Sequence, residues 1–299
     1  MTDTSATELL AMRGICKRFG AVQACDQVDL TLNAGDVLGL LGENGAGKTT
    51  LMNVLFGTYA ADAGSIAVDG KPVDIRNSAD ALKLGIGMVH QHFHLVPRHS
   101  VLDNLMVGRP GRGLRLDRAD ALARLAEIGR RYRLTLEPEV LVSDLTIGEQ
   151  QRLEIVKALF RGARILILDE PTAALTPPET EGLFEAVRAM AQQRMGVILI
   201  SHKLHEVRAV TNRIMVMRQG RAVAERANDT GVSEKLLAEL MCGREITPPE
   251  KPASTPGRIL LRLSGISTAG SERRRLKELS LEVRAGEIIG IAGVAGNGQ

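Results

Sequence analysis

The chain carries the run Gly42-Glu43-Asn44-Gly45-Ala46-Gly47-Lys48-Thr49-Thr50. It fits G-x-x-x-x-G-K-[ST], the spacing that cradles phosphates. The glycines let backbone N–H groups turn inward as an anion nest at a helix start, where the macrodipole favours negative charge. Lys48 would reach β- and γ-phosphates, and the Thr49 hydroxyl would sit on Mg²⁺. Two acids, Asp169-Glu170, close the apolar run Ile165-Leu166-Ile167-Leu168. Asp169 would hold the metal through its water shell, and Glu170 would polarise an attacking water. His202 follows a second such run, Val197-Ile198-Leu199-Ile200, and can face the same crevice. Gln91 ends a third, Ile86-Gly87-Met88-Val89. This is chemistry on a nucleoside triphosphate.

The elements that must position these groups follow from the pattern. Val37-Leu38-Gly39-Leu40-Leu41 before the glycine loop reads as a buried strand, and Leu51 to Phe56 after it as a helix stopped by Gly57. Fully apolar runs suit parallel strands covered on both faces. Ligands of such sheets collect outside the strands' carboxyl ends. Residues 8–32 read as strand-rich, with a turn at Lys17-Arg18-Phe19-Gly20. Phe19 has two readings, a stacking surface for a base or ordinary core packing, and spacing leaves both open. The histidines of His90-Gln91-His92-Phe93-His94 lack a carboxylate or Cys at ligand spacing, so a polar loop is the reading over a metal site. Residues 117–132 form an amphipathic helix with Leu122, Leu125 and Ile128 on its apolar face, and a helical subdomain follows. Thr146 and Glu149 make a capping box ahead of a helix with the stripe Leu153, Val156 and Leu159. His205 is a helix-surface residue.

Over 299 residues, 44% are hydrophobic but only 2% aromatic, so aliphatic side chains fill the core of roughly two domains. A net charge of +3 argues neither for nor against a nucleic-acid partner. The three cysteines, Cys16, Cys25 and Cys242, have no metal or redox spacing and read as reduced cytosolic thiols. No leader-like region opens the chain, and no apolar run approaches the ~20 residues that cross a bilayer. A membrane role must therefore come through a partner. Residues 246–258 are a Pro-rich linker. Beyond it, Gly286-Glu287-Ile288-Ile289-Gly290-Ile291-Ala292-Gly293 copies the segment 35–42 at an offset of 251. Leu279-Ser280-Leu281-Glu282-Val283 copies 28–32 in the same way. Such a period means a duplicated domain. Gln299, in the second glycine loop, stands at the place of Lys48, and the sequence is expected to be part of a longer one.

Together these landmarks resemble the ATP-binding cassette (ABC) superfamily. The resemblance implies an α/β P-loop NTPase cassette with a mainly parallel core sheet, an antiparallel β subdomain and a helical subdomain near 92–162. One cassette spans 8–245, and 259–299 begins a second. The Walker A loop is Gly42, Glu43, Asn44, Gly45, Ala46, Gly47, Lys48, Thr49 and Thr50, the Q-loop residue is Gln91, and Phe19 takes the adenine-stacking place. Leu145, Thr146, Ile147, Gly148 and Glu149 are the signature. Asp169 and Glu170 are the Walker B acids, and His202 is the switch histidine. ATP and Mg²⁺ are the implied cofactors, the metal held by Thr49, Gln91 and Asp169, with Glu170, His202 and Lys48 catalytic. The chain looks like the fused two-cassette ATPases of bacterial sugar and nucleoside importers. That branch shows in Gly148-Glu149-Gln150-Gln151-Arg152 with Glu154-Ile155, and in Ala173-Ala174-Leu175-Thr176-Pro177. The run Met88-Val89-His90-Gln91-His92-Phe93 looks closest to nucleoside uptake. Implied partners are membrane permease subunits docking near 100–108, a second cassette in cis or in a homodimer, and indirectly an extracytoplasmic solute-binding protein. No nucleic acid is expected, and the place is the cytoplasmic face of the membrane. The alternative is a ribosome-associated tandem cassette, which usually carries a long charged linker.

The departures from the family pattern are informative. The usual signature is Leu-Ser-Gly-Gly-Gln, and here Thr146, Ile147 and Glu149 replace three of its five residues. Thr176 stands where an aspartate is usual. Family cassettes pair head to tail, so this signature faces the loop bearing Gln299. The expectation is an asymmetric enzyme with one hydrolytic site, built on Lys48, Asp169, Glu170 and His202.

Overall fold

The computed structural model describes residues 7–107, 117–245, 255–269 and 276–293. The chain divides into two compact units, residues 1–246 and 247–299. Most of the linker and residues 294–299, with Gln299, lie outside the described residues.

The first unit opens with β1 (Glu8–Phe19) and β2 (Val22–Asn33), then β3 (Val37–Leu41) and α1 (Lys48–Leu55). β4 (Ala63–Val68), β5 (Lys71–Val73), α2 (Ser78–Lys83) and β6 (Ile86–Val89) follow. Three helices come next, α3 (Val101–Met106), α4 (Arg118–Tyr132) and α5 (Ile147–Phe160). Then β7 (Ile165–Asp169), α6 (Pro177–Gln192), β8 (Gly196–Ile200) and α7 (Leu204–Val210) alternate. The unit ends with β9 (Arg213–Arg218), β10 (Arg221–Ala227) and α8 (Glu234–Cys242).

Two sheets result. An antiparallel one runs β2-β1-β4-β5, and a six-stranded one runs β10-β9-β3-β8-β7-β6. In the larger sheet β6, β7, β8, β3 and β9 are parallel, and only the edge strand β10 is antiparallel. The apolar runs now have a physical reason. In β7, Leu166 and Leu168 pack into the core shared with α4, α5 and α6, while Ile165 and Ile167 pack into the core shared with α1 and the antiparallel sheet. β8 divides the same way, with Val197 and Leu199 on one side and Ile198 and Ile200 on the other. Alternate residues point to opposite faces, and both faces are covered.

Two sequence expectations are corrected. The hairpin turn falls at Gly20-Ala21, so Lys17 and Phe19 are strand residues. On α4 the buried face is Ala121, Leu125, Ile128 and Tyr132, with Leu122 exposed. Spacings of four, three and four keep residues on one face of a 3.6-residue turn, and Leu122 lies one position round from it. In the second unit, β11 (Ile259–Ile266) and β12 (Leu279–Arg284) form an antiparallel hairpin. Residues 288–292, the copy of β3, form no strand, and Ile288 and Ile291 are exposed. β3 is held on its two sides by β8 and β9, and the described part of the second unit offers no counterpart to either.

Leu125→Ala is expected to destabilise the protein by about 2–5 kcal/mol, the range for buried leucines, and Leu122→Ala by less than about 1 kcal/mol. Urea denaturation followed by circular dichroism separates them. Equal losses would return Leu122 to the core face.

Candidate nucleotide site

The parallel register decides what meets what. Leu40 pairs with Ile200, and Ile200 with Asp169. The chain leaves β3, β7 and β8 at one edge, so the loops starting at Gly42, Glu170 and Ser201 open on the same crevice. A cavity of about 900 Å³ lies there, walled by the glycine loop, Gln91, Asp169, Glu170 and His202. Phe19, Val22 and Ala24 form another wall, and Met241 of α8 a further one. Every nucleotide-binding and catalytic candidate named from the sequence lines this one cavity: Phe19, Gly42, Glu43, Asn44, Gly45, Ala46, Gly47, Lys48, Thr49, Thr50, Gln91, Glu170 and His202, with Asp169.

The loop has the form an anion needs. α1 starts from Gly47, whose φ is 99°, with no side chain capping the helix. The first backbone N–H groups are therefore free to face a ligand. A Cβ on Gly47 would lie 2.2 Å from the Ala24 carbonyl, so the loop closes onto β2 only with glycine there. Lys48 is buried and donates to the carbonyls of Gly42 and Glu43 at 2.8 and 3.0 Å. Burial pushes its pKa down, while Glu170 and Asp169 pull it back up.

Opposite the loop, the buried Asp169 carboxyl shares the cavity wall with Thr49. Burial, then the charge of Glu170, raise its pKa, and Lys48 and Thr49 oppose that rise. Glu170 has a φ of 48°, and its backbone N–H donates to the Ile200 carbonyl at 3.0 Å. Non-glycine residues pay about 1–3 kcal/mol for such a conformation, and they cluster where geometry matters more than stability. Its carboxylate lies 2.9 Å from His202 Nδ1. Thr49, Gln91 and Asp169 offer a hydroxyl, an amide and a carboxylate, the hard oxygen donors that suit Mg²⁺. Among the described residues there is no cluster of three or more His, Cys, Asp or Glu able to hold a metal, and the histidines at 90, 92 and 94 make none.

The residues Leu145, Thr146, Ile147, Gly148 and Glu149 do not line this cavity. Thr146 caps α5: its Oγ accepts from the Glu149 N–H at 3.2 Å, and Glu149 Oε2 accepts from the Thr146 N–H at 2.8 Å. A Cβ on Gly148 would lie 2.2 Å from Glu179 Oε1. Glu179 is itself tied to Thr176, accepting from its N–H at 2.9 Å and its hydroxyl at 2.7 Å.

Sequence reasoning missed two features. Met241 reaches the cavity from the far end of the unit, and no local pattern signals that. The loop after Glu170 is clamped by Glu206, a buried carboxylate that accepts from the Thr172 hydroxyl and, at 3.0 Å, from Lys203 Nζ. Lys203 Nζ also donates to the Thr172 carbonyl at 3.1 Å.

Comparison with known proteins follows this geometry. Residues 25–173 match the family model described as ABC transporter. The nucleoside import ATP-binding protein NupA of Lactococcus lactis subsp. cremoris is 44% identical over 296 residues, 97% of this chain. The ribose import ATP-binding protein RbsA 1 of Rubrobacter xylanophilus is 44% identical over 293 residues, again 97%. The chain spans 58% of the length of each of these relatives. Among solved structures, the ADP conformation of MJ1267, an ATP-binding cassette of an ABC transporter, aligns with a TM-score of 0.70 at 25% identity. That alignment covers 79% of this chain and 99% of MJ1267. The chain belongs to the ABC transporter family and has its cassette fold, a mainly parallel sheet with an antiparallel sheet and helices around it.

Proposed function

We propose that this chain binds and hydrolyses ATP to drive an importer of nucleosides or simple sugars. The observation that carries the reading is the single cavity in which an uncapped helix start, Lys48, Asp169, Glu170, His202, Gln91 and Phe19 converge. The import ATP-binding proteins similar to it support the transport role. No observation favours the ribosome-associated alternative.

In this reading the triphosphate lies along residues 42–50, held by backbone N–H groups and the Lys48 ammonium. Positioning and charge stabilisation supply most of the catalysis in phosphoryl transfer. Glu170 orients the attacking water, and His202, in contact with it, holds the γ-phosphate side. Thr49, Gln91 and Asp169 would hold Mg²⁺, which when bound neutralises charge on the phosphates. Phe19 stacks on the adenine. Among the described residues no helix is long and apolar enough to cross a membrane, so the membrane place proposed is peripheral, on permease subunits. An extracytoplasmic binding protein would deliver the solute.

Because Leu145, Thr146, Ile147, Gly148 and Glu149 stand away from the cavity, they serve a second cassette's nucleotide. The site built on Lys48 needs a signature from that partner, either the cassette begun at 259 or a second copy of this chain. The domain reading is one cassette over 8–245, with its helical subdomain near 92–162, then the linker 246–258 and the start of another cassette over 259–299.

Titration with ATP is expected to show binding that Lys48→Ala and Gly47→Ala each weaken by at least about tenfold; unchanged binding in both would remove the glycine loop from the site. Glu170→Gln is expected to lower turnover by about 10²–10⁴-fold while ATP stays bound. Unchanged turnover would take Glu170 out of its role. The 299-residue chain alone is expected to hydrolyse ATP slowly, with turnover rising when residues 246 onward are extended to a full second cassette. Full turnover by the chain alone would mean its own altered signature completes the site.

A further inference from the structure

The ring of Phe19 does not stand free. Tyr59 meets it edge-on, with centroids 5.2 Å apart and planes at 75°. The Lys17 ammonium lies over its face, 5.5 Å from the centroid. Lys17 is in turn fixed by Asp62, whose Oδ1 accepts from Nζ at 2.8 Å. Asp62 Oδ2 accepts from the Arg18 N–H at 2.7 Å, and the Asp62 N–H donates to the Cys16 carbonyl at 2.9 Å. Asp62 therefore pins the end of β1 on both sides of Lys17. The Tyr59 N–H donates to the Asn53 carbonyl of α1 at 3.2 Å, so the second support hangs from the helix that starts at the phosphate loop.

Phe19 lines the cavity, whereas Lys17, Tyr59 and Asp62 do not. The supports hold the ring from outside the cavity. Phe19 is 43% exposed, a setting in which an unsupported side chain would sample several rotamers and lose that freedom on stacking. A cation over one face is attracted to the ring's quadrupole and so steadies the ring.

We propose that Lys17, Tyr59 and Asp62 form a bracket that presets the Phe19 ring for the nucleotide base. They are positioning residues, and the phosphate loop does not depend on them. This rests on the reading above that Phe19 stacks on adenine.

The test is calorimetric titration of the 299-residue chain with ATP and, as a probe without a base, inorganic tripolyphosphate. Stacking on an aromatic side chain gives at least about fivefold in affinity, so Phe19→Ala loses at least that much for ATP and nothing for tripolyphosphate. Lys17→Met and Asp62→Ala each lose about two- to fivefold for ATP only, the share of an exposed cation over a ring. Lys17→Arg keeps both the cation and the Asp62 pair and binds ATP as wild type does. In a Phe19→Ala background, Lys17→Met has no further effect. Equal losses for ATP and tripolyphosphate, no loss at all, or full additivity with Phe19→Ala would each overturn the bracket. Two other outcomes would fall on the reading beneath it. Wild-type protein that binds ATP no more tightly than tripolyphosphate would end base stacking by Phe19. Wild-type protein that binds neither would end the nucleotide site itself.

Discussion

Leu40, Ile200 and Asp169 lie abreast across β3, β8 and β7, and the site depends on that line. A slip of one residue in a strand moves every side chain to the other face. Here it would turn Leu166 and Leu168 away from the helical core and bring Ile165 and Ile167 into it. It would also carry Asp169 off the crevice edge. The burial of alternate residues into two different cores is therefore what fixes the geometry of the candidate site. The site is assembled from loops, but its coordinates are set by aliphatic side chains that never touch a ligand.

Most of this was legible in the sequence because glycine loops and apolar strands are local signals. Residues 42–50 name their own conformation through glycines and a lysine at fixed offsets, and four apolar residues before Asp169-Glu170 name a covered strand. The helix from Arg118 to Tyr132 was legible in extent but not in facing, because Leu122 outweighs Ala121 on any hydrophobicity scale while geometry buries the smaller residue. Tertiary supports were not legible. Glu206 reaches Thr172 across 34 positions, and Lys17 reaches Asp62 across 45. Nothing in either segment alone announces the pairing. Residues 288–292 repeat the letters of β3 and form no strand, because a parallel strand is made by its neighbours and its own letters do not suffice.

The altered signature looks different once its hydrogen bonds are known. The Glu149 carboxylate is turned back onto the Thr146 N–H. The Thr146 hydroxyl accepts at the cap and keeps its own proton to donate. The glutamate thus serves the helix start, and the cap leaves the hydroxyl proton unused. Gly148 lets Glu179 approach α5, and Glu179 is joined to Thr176 at the head of α6. Within one cassette, the start of α5 and the loop that follows Asp169-Glu170 are mechanically in touch.

The backbone at Glu170 sits at a φ of 48°, a conformation that glycine or asparagine would adopt with less strain. Stability and chemistry pull this position in opposite directions. A laboratory search that rewards heat resistance alone would gain by replacing Glu170, and it would discard the carboxylate beside His202 in doing so. Thermal robustness is thus a poor guide to fitness at this residue, and a melting temperature that rises on its replacement would be a sign of what the native protein gives up to keep it.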